Sequence, residues 1–311
     1  MRKEEYYMTF LTESIKRDEK IGLAGVGTMG KCILEGLKKN GFQVVAYDPF
    51  IGAQEYAQEH GAIVVKELEG LALQANIILM SLPKPQNVLD VVGGEKGLKA
   101  HLTEKHILID TSTVDPATSK KAAKIAEERK AHYIDAPILG RPSAVGNWLM
   151  PSGGEPQYIE YVSPVLKCFA KKIVPVGEHG NGNAFKLLNQ LMFSVINGVS
   201  AEVMALTEVL GIDKKKFYDV VSNSGAATVS GLFCETAGRI AEERYDDPTF
   251  TMELLCKDAG LGIEMVHEAG VTPLIAGFVQ TLNENAKGKG LAKKDTSALA
   301  EVFQQFYSKI Q

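Results

Sequence analysis

This 311-residue sequence has no recognisable metal-ligand pattern. Its six histidines form no HExxH or similar pair and no CxxC occurs, which argues against a zinc or other metal centre. Cysteine is scarce: Cys32, Cys168, Cys234 and Cys256 are scattered along the chain. They make no disulfide framework and read as buried thiols of a reducing cytoplasm. Basic charge is not in excess either. The 34 Lys and Arg face 38 Asp and Glu, for a net charge of −4, which excludes the electrostatic footprint of a nucleic-acid binder. No uninterrupted apolar run reaches the ~18 residues of a membrane span. Residues 1–18 mix Arg2, Lys3, Lys16 and Arg17 with Glu4, Glu5, Glu13 and Asp18. They lack the apolar centre of a signal peptide and read as a solvated arm, with Met8 an alternative start. What these absences leave is a soluble, cytoplasmic globular chain, long enough for two domains.

The stretch that organises the rest is 183–210, which has no proline and one glycine, Gly198. It reads as one helix of about 40 Å at ~1.5 Å per residue, ended by Gly211. A helix apolar almost all round is buried, so its polar residues need a reason. Lys186, Gln190 and Asn197 share one stripe, with Asn189 and Ser194 half a step aside. Burying them costs several kcal/mol unless they line a cleft or find partners. Two readings of Lys186 stay open on this ground: a cleft residue, or a lysine snorkelling to water from the helix start.

Near the N-terminus a strand at 21–24 runs into Gly25-Val26-Gly27-Thr28-Met29-Gly30, a helix at 31–40 and a second strand at 42–47 ending at Asp48. This is a dinucleotide-binding unit. The glycines allow a tight turn, close approach to a pyrophosphate and close helix–strand packing, and the helix start offers N–H groups to the diphosphate. Asp48 stands where a carboxylate binds the adenosine ribose. No basic residue follows it before Lys66, so the cofactor expected is NAD, with NADP the less suited choice.

Further strands are expected at 62–65, 77–81, 107–110, 133–136 and 173–176, with helices at 116–130 and 157–169 among the segments between. The spacing implies a parallel sheet covered on both faces. Leu82-Pro83, Ser112-Thr113 and Asp135-Ala136-Pro137 fall at strand carboxyl ends, where ligands to such sheets bind; spacing alone assigns none of them. After Gly211 only helices are expected, at 215–222, 231–243, 251–268, 273–287 and 296–310. The fold class is α/β: a Rossmann-type doubly wound sheet over 19–181, then an all-α domain over 182–311. A long interdomain helix (182–210) joins them, with a cleft expected along it.

Together these motifs resemble the β-hydroxyacid dehydrogenase family, with its 3-hydroxyisobutyrate dehydrogenase, tartronate semialdehyde reductase and glyoxylate/succinic semialdehyde reductase branches. Four motifs recur in order over about residues 20–305. They are Gly25 to Gly30; Asp135-Ala136-Pro137 with its loop to Gly153-Gly154; Gly180-Asn181-Gly182 followed by Lys186; and Phe250 with Lys257-Asp258. The resemblance implies an NAD(P)-dependent dehydrogenase or reductase of small β-hydroxy acids, with a dinucleotide domain of the 6-phosphogluconate dehydrogenase type. It implies Lys186 as general acid/base, with Asn189 and Gln190 placing the substrate. It adds Leu82, Pro83, Thr113, Phe250 and Lys257 to the cofactor site, and Ser112, Leu139, Gly140, Arg141 and Asp258 to the substrate site, with no metal. The chemistry agrees: alcohol oxidation needs a base for the hydroxyl proton while the cofactor takes the hydride. Desolvation at a helix start disfavours the ammonium and makes the amine a better base.

One motif departs from the family. Where Asp-Ala-Pro-Val-Ser-Gly-Gly is usual, this chain has Asp135-Ala136-Pro137-Ile138-Leu139-Gly140-Arg141. Leu139 offers no hydroxyl to a substrate carboxylate. Arg141 either grips an acidic substrate with its guanidinium or is a solvated loop residue. Two alternatives follow: an imine reductase of the same fold, and a non-catalytic dinucleotide sensor. The apolar helical domain also suggests pairing into a homo-oligomer, a dimer or a tetramer.

Overall fold

The computed structural model describes residues 15, 16, 18–226, 228 and 230–307, so most of the expected N-terminal arm lies outside the described residues. The chain divides into two compact units, the first ending at Lys186 and the second beginning at Leu187.

The first unit is an eight-stranded sheet in the order β3-β2-β1-β4-β5-β6-β7-β8. Its strands are β1 (Lys20–Ala24), β2 (Gln43–Tyr47), β3 (Ile63–Val64), β4 (Ile77–Met80), β5 (Ile107–Asp110), β6 (His132–Asp135), β7 (Trp148–Gly153) and β8 (Ala170–Gly177). Strands β4 and β5 are buried at every residue, because both faces of a parallel sheet are covered. The alternation of side chains across the pleat then divides each strand between two cores. Ile21, Leu23, Ile77, Leu79, Ile107 and Ile109 pack into one; Ala24, Ile78, Met80 and Leu108 pack into the other. The first core receives α1 (Thr28–Lys39) through Ile33, Leu34 and Leu37. The second receives α3 (Leu68–Ala72), α4 (Pro85–Gly93) and α5 (Pro116–Glu127). Helices α2 (Ile51–Glu59) and α6 (Pro156–Leu166) return to the first core.

Strand β7 is absent from the sequence reading. It carries Pro151 and ends on Gly153, residues that count against a strand. It pairs antiparallel to β6 only at Asp135 and Gly153, and parallel to β8 along most of its length. Partners supplied from a distance thus override a weak local preference.

Helix α7 spans Asn181–Val209 as one run. In the second unit it is joined by α8 (Lys214–Ser222), α9 (Gly231–Ala241), α10 (Met252–Glu268), α11 (Leu274–Ala286) and α12 (Leu299–Tyr307). The helix expected at 273–287 ends in a π turn at Lys287–Leu291, where Gly290 has φ of +90°. That expected at 296–310 opens with a 3-10 turn over Thr296–Ala298, and its last residues lie outside the described ones. Ala201, Met204 and Ala205 of α7 pack with Phe233, Ile240, Leu255, Leu299 and Phe303.

By length and composition α7 is apolar enough to cross a membrane, which counting uninterrupted apolar residues did not register. Its polar residues instead find protein partners. Buried Asn197 donates to the Thr296 carbonyl (3.0 Å) and accepts from the hydroxyls of Thr236 (3.1 Å) and Thr296 (3.2 Å). Asn283 donates to Ser194 Oγ at 2.8 Å. Leaving such groups unmatched costs about 1–3 kcal/mol each. Asn197→Ala should therefore destabilise the helical unit by about 2–3 kcal/mol in urea unfolding. Ser200→Ala should cost less than about 1 kcal/mol, since its hydroxyl bonds, among the described residues, to the Ile196 carbonyl of its own helix. Equal losses for the two variants would contradict this account of the core.

Candidate active site

The dinucleotide turn is built from backbone that tolerates no side chain at two places. Gly25 has φ of +94°, and a Cβ there would lie 2.3 Å from the Ser81 carbonyl oxygen; a Cβ at Gly30 would lie 2.1 Å from that of Gly25. Gly27, the N-cap of α1, has open space where a Cβ would stand, no side-chain cap and no acidic residue in the first turn behind it. The helix N–H groups and dipole are thereby left to an anion. Val26 is the exception among these amides, because its N–H donates to Asp48 Oδ2 at 2.7 Å. Asp48 Oδ1 accepts from the Phe50 N–H at 2.9 Å. The acid therefore ties the turn to the end of β2 while keeping lone pairs for further donors. Thr28 is exposed, Met29 half-buried and Asp48 buried. The residues present fit a dinucleotide.

At the same edge of the sheet, the ends of β4, β5 and β6 are joined through buried polar groups. The Leu82 N–H donates to Ser112 Oγ (2.9 Å), and the Ser112 N–H to Asp110 Oδ1 (2.9 Å). The Tyr133 hydroxyl donates to Asp110 Oδ2 (2.7 Å); burial first, then the neighbouring Asp110 charge, pushes this phenol well above its usual range. Thr113 is half-buried beside Ser112, while Pro83 is exposed.

Asp135, the last residue of β6, holds the start of α7. Its Oδ1 accepts from the Gly180 N–H at 2.7 Å and its Oδ2 from the Asn183 N–H at 3.0 Å. Asn183, itself fully buried, accepts from the Val114 N–H (3.2 Å) and donates to Ser119 Oγ (3.0 Å). The glycines around this knot have a packing reason. A Cβ on Gly182 would lie 2.4 Å from the Asp135 carbonyl oxygen, and one on Gly153 would lie 2.7 Å from Asp135 Oδ1. Lys186 follows three residues after Asn183 on the same helix and is 9% exposed.

The loop after β6 is fixed by Trp148, the sole tryptophan of the chain. Its ring fills the space a side chain on Gly140 would need, with Cδ1 2.2 Å from that Cβ position. Its Nε1 donates to the Arg141 carbonyl at 2.7 Å. Leu139 and Leu149 exchange backbone hydrogen bonds of 2.9 and 3.3 Å. Leu139 and Arg141 are half-buried. In the second unit, Asp258 receives the Gln190 amide at 2.7 Å and the Lys257 ammonium at 2.8 Å, and Gln190 Oε1 accepts from Asn189 at 3.4 Å. Phe250 packs edge-on against Phe193 at 5.5 Å between ring centroids. Asn183 and Trp148 are the residues that sequence reading passed over. The second asparagine of Gly180-Asn181-Gly182-Asn183 and the lone tryptophan were their only signals.

The family described as the NAD binding domain of 6-phosphogluconate dehydrogenase matches residues 20–177. That described as the NAD-binding of NADP-dependent 3-hydroxyisobutyrate dehydrogenase matches 180–303. The chain belongs to the β-hydroxyacid dehydrogenase family. Human mitochondrial 3-hydroxyisobutyrate dehydrogenase is 27% identical over 300 residues, covering 94% of this chain and 89% of that protein. The 2-(hydroxymethyl)glutarate dehydrogenase of Eubacterium barkeri is 27% identical over 293 residues, covering 94% and 97%. Among solved structures, a 3-hydroxyisobutyrate dehydrogenase from Salmonella typhimurium superposes with a TM-score of 0.83 at 22% identity, covering 92% of this chain and all of that one. An imine reductase of Bacillus cereus has the fold at a TM-score of 0.59 and 18% identity, covering 92% and 99%. As a member of the β-hydroxyacid dehydrogenase family, the chain is an NAD(P)-dependent oxidoreductase of hydroxyl groups.

Asp135 gives this member of the family a pH signature. Burial pushes its carboxyl up to about 7, against the pull of the Gly180 and Asn183 N–H groups and with Asp110 adding to the rise. A carboxyl raised on folding contributes its full stability below its ordinary value and loses it as pH climbs to the folded value. The stability of the wild type relative to Asp135→Asn should therefore fall by ~1.4 kcal/mol per pH unit from about pH 4 to about pH 7. It should be flat above. A relative stability that rises across this window would contradict the assignment; denaturant melts at several pH values read it directly.

Proposed function

We propose that this chain transfers a hydride between NAD and a small β-hydroxy acid, or its semialdehyde or keto form, with Lys186 as the general acid/base. The observation that carries the reading is a buried lysine on a helix whose start is tied to the carboxyl end of β6. The Gly25–Gly30 turn follows the carboxyl end of β1, at the same edge of the parallel sheet. When bound, the nicotinamide cofactor supplies or accepts the hydride. In oxidation the Lys186 amine takes the hydroxyl proton; in reduction its ammonium returns a proton to the carbonyl oxygen. Gly25, Val26, Gly27, Thr28, Met29, Gly30, Asp48, Leu82, Pro83, Thr113, Phe250 and Lys257 serve the cofactor. Asn189 and Gln190 orient the substrate, together with Ser112, Leu139, Gly140, Arg141 and Asp258. The pairing of Asp258 with Lys257 and Gln190 supports an orienting role, since a bare carboxylate would repel an acidic substrate.

The substrate proposed is a small carboxylate, gripped by the Arg141 guanidinium in place of the serine that Leu139 replaces. NAD is proposed over NADP because a ribose 2′-phosphate would meet Asp48 and then Pro49, Phe50 and Ile51, with no cation among them. The protein is proposed to work in the cytoplasm as a homo-oligomer. Leu188, Met192, Val199, Val203 and Leu206 are all at least 36% exposed along α7 and recur three, four or seven residues apart, an apolar stripe of helical period left open among the described residues.

Leu139 also favours a second reading, an imine reductase, because a site without that hydroxyl has less hold on a carboxylate.

Three measurements test these assignments on a panel of 3-hydroxyisobutyrate, 2-(hydroxymethyl)glutarate, succinic semialdehyde, glyoxylate and a cyclic imine. Lys186→Ala should lower kcat for the acids and aldehydes by about 10²–10⁴-fold, with the Kd for NADH, read from Trp148 fluorescence, nearly unchanged. Imine turnover that survives Lys186→Ala would favour the second reading, and NADH binding without any turnover a sensor. NADH should bind at least about tenfold more tightly than NADPH, a difference of about 1.4 kcal/mol; the reverse order contradicts the cofactor assignment. Met192→Lys with Val199→Lys should shift the sedimenting species toward the monomer, and an unchanged oligomer would exclude this stripe as the contact.

A further inference from the structure

We propose that Asp135 is a positioning residue for the reaction: by binding the Gly180 and Asn183 amides at the start of α7 it sets where Lys186 stands relative to the dinucleotide turn. The inference rests on the proposed role of Lys186.

The chain of contacts is short and rigid. Asp135 ends β6, which pairs with β5 in register from Ile107–His132 to Asp110–Asp135. The sheet carries the dinucleotide turn at the end of β1, so Asp135 and the turn share one frame. Both carboxylate oxygens are committed to the entry of α7, one to Gly180 just before the helix and one to Asn183 in its first turn. A single N-capping bond would leave the helix free to pivot; two bonds three residues apart fix both its height and its direction. Asn183 adds a third point by accepting the Val114 N–H, which ties the same turn of helix to the segment after β5. Gly182 lets the backbones touch, since a methyl there would meet the Asp135 and Pro151 carbonyl oxygens at 2.4 and 2.7 Å. Lys186 lies less than one helical turn beyond Asn183 at ~3.6 residues per turn, so a shift at the cap is carried to its Cα almost undiminished.

The carboxylate is suited to this task and to little else. It is fully buried, faces helix amides that carry partial positive charge, and is held off solvent by Gly153 and Gly182 on either side. A structural cap would stabilise the fold equally well whatever α7 carried. A positioning cap has a kinetic signature, because a displacement of about 1 Å at a reacting group can cost about 10²-fold in rate.

Two variants disturb the cap in different ways. Asp135→Asn replaces one acceptor oxygen by an NH2 group that opposes an amide N–H. Gly182→Ala keeps the carboxylate but wedges the helix away from it. Each should lower the single-turnover rate of 3-hydroxyisobutyrate oxidation by NAD at least about tenfold, with the Kd for NADH within about twofold of wild type, since the dinucleotide turn is untouched. The deciding measurement is the cycle with Lys186→Ala. If the cap acts through Lys186, adding either variant to Lys186→Ala lowers the residual rate no further. Losses that multiply in the double variants, or single variants that keep the wild-type rate, would overturn the proposal. A Lys186→Ala enzyme with the wild-type rate would remove the lysine's role itself and the positioning role with it. That result is separate from a slow Lys186→Ala enzyme on which the cap variants act independently. Should Asp135→Asn fail to fold, Gly182→Ala, which retains every polar partner, carries the test alone.

Discussion

A buried carboxylate answering two backbone amides at the start of a long helix is the interaction on which the first unit's site depends. Taking Asp135 out of water is costly, and its carboxyl, pushed up to about 7, registers that cost. Opposing it are two hydrogen bonds to an ionised acceptor, each about 1.5–3 kcal/mol, and the positive end of a 29-residue helix. Close approach of the backbones adds a separate steric requirement, glycine on both sides of the acid. Gly153 and Gly182 are the positions where any side chain would separate the partners.

The cap also accounts for the order of motifs in the chain. Asp135-Ala136-Pro137 and Gly180-Asn181-Gly182 are distant in sequence and form one object in space, with Lys186 three residues beyond Asn183 on the same helix. The same economy appears at Asp48, which fastens the glycine turn through Val26 and faces the place where the cofactor ribose is proposed to lie. In the helical unit Asp258 takes both Gln190 and Lys257. At Asp48 and Asp258 an acid that the sequence marks as a ligand to cofactor or substrate also organises the protein groups around it.

Local patterns carried much of the fold. The run into Gly25–Gly30, the buried strands at 77–80 and 107–110, and the helices after Gly211 follow from spacing and periodicity, which are properties of neighbouring residues. What escaped is non-local. β7 forms despite Pro151 because β8 lies beside it. Asp135 meets Gly180 across 45 residues, and Val114 meets Asn183 across 69; no local pattern marks such pairs. Trp148 was silent for the same reason, since its partners Gly140 and Arg141 matter only once β7 returns along the loop. The buried polar stripe of α7 was visible as an anomaly, yet its residues divide. Asn197 and Ser194 satisfy the core of the helical unit, while Lys186 and Gln190 belong to the proposed chemistry.

The central claim is that the Lys186 amine exchanges the proton while the cofactor exchanges the hydride. The most direct test is a crystal structure of the enzyme with NAD and a bound hydroxy acid. The account predicts Lys186 Nζ within about 2.6–3.2 Å of the substrate hydroxyl oxygen, with the carbinol carbon facing the nicotinamide. A lysine turned to bulk solvent, with that hydroxyl held by another group, would contradict it.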